Sequence, residues 1–199
     1  MSQSDSFKIT NLNRMRILGT SVVTLLTFGM LLWEHFHGGV TIHHILHNDN
    51  LPGISNLWGA FLLPLLTWIL LGKIKTKIEK RKSPSLQPNN EWSRIFRLFL
   101  IGLTFGIVLS VSFTYDYKLF LDNVLYLLLV LSLLLPIYYA EFILGFVLSM
   151  TYTFGAIIPT AFVLIVAIIG FLLFKFVRPL FQKLLMFITK ELNIGNPHS

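Results

Sequence analysis

Apolar residues in this chain come in long uninterrupted runs rather than at the three-to-four-residue spacing of a half-buried helix, and the runs are separated by short polar or basic stretches. Runs of that length read as membrane-spanning helices, because about twenty apolar residues carry a helix across a hydrocarbon layer about 30 Å thick. The pattern predicts spans near residues 15–33, 57–72, 95–114, 120–138, 141–156 and 159–177. The last three rest on length. From 119 to 177 the charged residues ahead of the terminal basic block are Asp122 and Glu141, and the stretch fits three crossings. Pro136 and Pro159 fall close to the expected breaks. The expected fold is therefore all-α: a six-helix transmembrane bundle spanning residues 15–177, with tails at 1–14 and 178–199.

Charge sets the orientation. Lys8, Arg14 and Arg16 precede the first run; Lys73, Lys75, Lys77, Lys80, Arg81, Lys82, Arg94 and Arg97 occupy the connection at about 73–94 and the turn after it; Lys175, Arg178, Lys183 and Lys190 follow the last run. The positive-inside rule places all three blocks, and both termini, in the cytoplasm of a cell-membrane protein. The first run, with no small-x-small cleavage pattern after it, reads as a retained signal anchor. A net charge of +7 could point to nucleic acid, but the basic residues flank apolar runs instead of forming a stripe, so no nucleic-acid partner is expected. The basic run at 73–82 is expected to extend the second helix against anionic lipid headgroups, with Pro84 and Pro88 breaking the chain before Asn90 caps the third. Composition agrees with a bilayer as solvent: 54% of residues are hydrophobic, 13% are charged, and mean hydropathy is +0.71.

There is no cysteine, which excludes disulfides, thiolate metal sites and cysteine nucleophiles. Candidate chemistry concentrates instead in the extracytoplasmic segment 34–56, where His35, His37, His43, His44 and His47 lie between Glu34 and Asp49. Gly38-Gly39 marks a turn, Thr41 can cap a helix, and Asp49-Asn50 before Pro52 can stop one, so residues 42–48 are expected to form a short interfacial helix. At about 100° per residue His43, His44 and His47 would share one face, opposite Ile42, Ile45 and Leu46.

Imidazoles at that spacing, with carboxylates beside them, form an ordinary ligand set for a divalent transition metal such as zinc. The metal-ligand candidates are His37, His43, His44, His47, Asp116 and Asp122, with Glu34 and Asp49 as candidate catalytic carboxylates. A bound water ionised by such a metal would support hydrolysis of a lipid or lipid-linked substrate. Two other readings fit the same residues: bonding to headgroups and backbone carbonyls, and titration as a pH-sensitive surface. The motif H-H-x-x-H has histidine where zinc proteases carry their glutamate base, and there is no P-loop, G-x-S-x-G or Rossmann fingerprint.

Three further features bear on function. Thr20, Thr24 and Thr27 make a hydroxyl stripe on the first span, each able to bond the carbonyl four residues back. Gly102 and Gly106 permit close helix approach, within the chain or in a homo-oligomer. Glu141 is either a first-turn glutamate favoured by the helix dipole or, if it lies deeper, a proton or cation site. The alternatives to an enzyme are thus a small proton- or cation-coupled transporter or channel, and a non-catalytic assembly subunit.

Overall fold

The computed structural model describes residues 3–44, 52–80, 88–180, 183 and 186. A long helix α1 (Gln3–Phe36) is followed by a two-stranded antiparallel ribbon, β1 (Ile42–His44) with β2 (Gly53–Ser55). Helices α2 (Leu57–Lys80), α3 (Pro88–Thr114), α4 (Lys118–Leu121), α5 (Val124–Leu134), α6 (Ala140–Phe154) and α7 (Ile157–Leu172) follow, the last continuing through a π-helical turn at Leu173–Val177. The fold is all-α apart from the ribbon. Among the described residues four helical stretches, Thr10–Phe36, Leu57–Lys80, Trp92–Thr114 and Ile157–Leu180, are long and apolar enough to cross a membrane, whereas Val124–Leu134 and Ala140–Phe154 are shorter apolar helices.

Helix boundaries follow from local chemistry. Gly38 and Gly39 take left-handed φ angles of 118° and 100° and end α1. Pro88 occupies the first position of α3, where its missing N–H costs nothing, so Asn90 lies inside that helix and does not cap it. A turn at Leu135–Tyr139 separates α5 from α6, and Gly155, with φ 70°, lets α6 turn straight into α7. Pro159 falls in the first turn of α7, which tolerates it.

The packing order is set by a few close approaches. Along the antiparallel pair α1 and α2, Asn13 meets Lys75, Gly19 faces Leu71, and Glu34 meets Asn56. Helices α3 and α6 run parallel: Gly102 lies on Phe142, Gly106 on Ser149, and the rings of Phe113 and Phe154 stand 4.6 Å apart. Helix α6 is antiparallel to α2, with Lys77 on Glu141 at one end and Gly59 by Ala156 at the other. Gly170 of α7 packs on Ile137, returning that helix to the end where α6 begins. Two ends result. One gathers Lys75, Lys77, Arg94, Tyr139 and Glu141; the other holds Glu34, the ribbon, Asn56 and Gly155.

Helix α6 is the axis of this arrangement. Phe142, Phe146 and Val147 are fully buried, while α1 leaves Leu25, Leu26 and Phe28 on the outside, as a lipid-facing helix does.

Candidate functional site

The start of the histidine segment does not take the expected form. Residues 42–44 are a strand, not the first turn of an interfacial helix: Ile42 pairs with Ser55, His43 with Ile54 and His44 with Gly53. β-branched Ile42 and Ile54 favour that ribbon, and its two-residue period replaces the helical one that would have aligned His43, His44 and His47. His47 and Asp49 lie outside the described residues. Among the described residues no three of His, Asp and Glu converge as metal ligands would.

Glu34, His37 and Asp116 have local partners. Glu34, near the end of α1, accepts hydrogen bonds from the Thr41 N–H at 3.1 Å and from the Asn56 side-chain amide at 2.7 Å, while Asn56 N–H donates to the Thr41 carbonyl at 2.9 Å. Both carboxylate oxygens thus clamp the ribbon and the start of α2 onto α1. His37 turns back on its own helix, its ring 3.7 Å from that of Trp33 and its Nδ1 2.9 Å from the Trp33 carbonyl. Asp116 sits in an exposed turn at φ 51°, with Lys118 at 3.7 Å, and Asp122 closes α4.

His43 lies over the α6–α7 corner. A Cβ on Gly155 would come within 2.9 Å of the His43 ring and 3.3 Å of the Asn56 side-chain oxygen. His43, Asn56, Gly155 and Ile54 enclose a cavity too small for a ligand. Gly155→Ala therefore meets both a strained φ and an occupied space, and is expected to cost about 1–3 kcal/mol. Thermal unfolding in detergent checks this: adding His43→Ala should recover the part due to collision and leave the part due to φ.

The opposite end carries the stronger electrostatic feature. Glu141, in the first turn of α6, is only 1% exposed, and one carboxylate oxygen takes the Lys77 ammonium at 2.8 Å. Lys77 also lies 3.3 Å from the centroid of the Tyr139 ring, with the Arg94 guanidinium 5.9 Å from the same ring. The second oxygen, Oε2, is buried with no hydrogen-bond partner among the described residues; the Thr20, Thr67 and Ser110 hydroxyls are likewise buried without one. The sequence singled out Glu141; its first-turn position fits the dipole reading, and its burial fits an ion site. It could not select Lys77 from a run of similar lysines. It also missed Arg16, whose guanidinium stacks 3.8 Å over the Trp68 ring, donates to the Trp68 carbonyl at 3.0 Å and fills the space beside Gly72.

Fold and composition together define an all-helical protein whose apolar helices suit embedding in a membrane. No family model, curated protein or solved structure matches the chain.

Proposed function

We propose that this chain is a six-crossing protein of the cell membrane, both termini cytoplasmic, that acts as a small proton- or cation-coupled transporter with Glu141 and Lys77 as its ionisable centre. Six crossings are supported by the way successive segments return to alternate ends of the bundle, with α4 and α5 together making the fourth pass and the short α6 the fifth. The basic end, by its charge, is the cytoplasmic one.

The observation that carries the transport reading is a carboxylate almost wholly withdrawn from solvent, held by a lysine from another helix, with one oxygen that has no partner among the described residues. Ionisable groups in such settings commonly mark proton or ion pathways, and an orphaned buried oxygen calls for a water or an ion. The hydroxyls of Thr20, Thr67 and Ser110, also buried without a partner among the described residues, put further polar atoms inside the bundle. The hydrolase reading draws on His47 and the His44 side chain, which lie outside what is described, and so has no comparable observation behind it.

Proteoliposomes loaded with a pH-sensitive dye test the proposal. Wild-type protein should dissipate an imposed proton or sodium gradient, and monodisperse Glu141→Gln should do so at least about tenfold more slowly, the size of effect expected for a proton-transfer group. Wild-type flux no greater than that of empty liposomes, or equal flux in the variant, would sink the idea.

A further inference from the structure

Helix α2 carries a second feature on the same end. Lys73, Thr76, Lys77 and Lys80 line an open groove of about 460 Å³. A spacing of four and then three residues places the three lysines on one face of the helix, open to solvent. We propose that this groove binds a phosphate-bearing anion at the membrane surface. The proposal stands on binding alone and does not require transport.

The lysines of α2 are sorted by partner. Lys75 is committed away from the groove, donating to the Asn13 side chain at 2.6 Å and pairing with Glu79 at 3.6 Å. Lys77 is fixed at the groove wall by Glu141 and Tyr139. Lys73 and Lys80 meet no acidic side chain among the described residues, and both are exposed. One ammonium is therefore pre-positioned and two beside it have no acidic partner among the described residues, an excess of positive charge that favours an anion.

Position along the helix supplies the ligand's chemistry. At 1.5 Å per residue, Lys73 lies about 24 Å from the start of α2 and Lys80 about 35 Å, which brackets the thickness of a hydrocarbon core. With Trp58 exposed at the opposite interface, the lysines come level with lipid phosphates. Lysine binds phosphate as a mobile point charge, and the Thr76 side chain adds a short polar wall. A lipid headgroup and a free phosphate offer the same chemistry.

Native mass spectrometry of the full chain in dodecyl maltoside separates the outcomes. Dioctanoyl phosphatidic acid should be retained at least about tenfold better than dioctanoyl phosphatidylcholine. The double variant Lys73→Gln/Lys80→Gln, which leaves the Lys77–Glu141 pair intact, should lower that retention by roughly thirtyfold, whereas Lys118→Gln at the other end should leave it unchanged. Displacement of phosphatidic acid by millimolar inorganic phosphate would identify a free phosphate as the ligand; resistance to displacement would identify the headgroup of an anionic lipid. Equal retention of the two lipids, or an undiminished preference in the double variant, would overturn the proposal even if flux depends on Glu141. Retention without flux would uphold it and remove the transport reading.

Discussion

Lys77→Met is expected to destabilise the bundle by about 3–5 kcal/mol, and Lys77→Met combined with Glu141→Leu to recover most of that loss. The asymmetry follows from burial. Glu141 is 1% exposed, so removing the lysine leaves a carboxylate without its counter-charge in a medium that cannot solvate it. Removing both charges leaves an apolar contact between α2 and α6, the kind of replacement that is often neutral or favourable. The lysine side chain is 24% exposed, which places the single-variant loss nearer the lower figure. Reversible unfolding in mixed micelles, followed by helical circular dichroism, measures both. Equal losses for the single and double variants would mean that packing of the Lys77 stem, and not the charge of Glu141, holds this end together.

The helical bundle was legible because its cause is one-dimensional. Apolar run length and flanking lysines mark a membrane helix whatever its neighbours do, and α1, α2 and α3 begin or end close to the polar residues that bound their runs. Between 119 and 177 run length gave only a number of passes. The structure breaks that stretch at Asp122–Asn123, at Leu135–Tyr139 and at Gly155, and leaves two of the helices short.

The start of the histidine segment, 42–44, was misread for a different reason. Ile42, Ile45 and Leu46 sit at spacings that satisfy a helix, but the strand at Ile42–His44 is set by pairing with Gly53–Ser55, a partner beyond the reach of any local pattern. Glu34 was read as chemistry because a carboxylate beside histidines resembles a metal site. Its bonds to Thr41 and Asn56, which close the loop, could not be read from that pattern. Lys77 illustrates the general limit: the sequence shows that a buried carboxylate needs a partner, and only the packing of α2 against α6 says which of the basic residues it is.

Gly145→Leu should prevent α3 and α6 from meeting at all, with a loss beyond the 1–3 kcal/mol of ordinary overpacking. A Cβ on Gly145 would run into the Phe99 carbonyl and lie 2.9 Å from the Leu103 nitrogen; one on Gly102 would run into the Phe142 carbonyl. The obstacle in each case is backbone, which cannot rotate away as a side-chain tip can. Helix association in lipid gains no hydrophobic drive and depends on close packing, so a seam of facing glycines is where it is most sensitive to added volume. Gly29 on α1 is the internal control, since a Cβ there meets nothing within 4 Å. Gly29→Leu should therefore express and elute as wild type on size exclusion in detergent, whereas Gly145→Leu should aggregate or fail to accumulate. A monodisperse Gly145→Leu protein of unchanged thermal stability would show that Gly102 and Gly145 are not the contact that aligns α3 with α6, and the placement of Glu141 at the end of that seam would lose its structural basis.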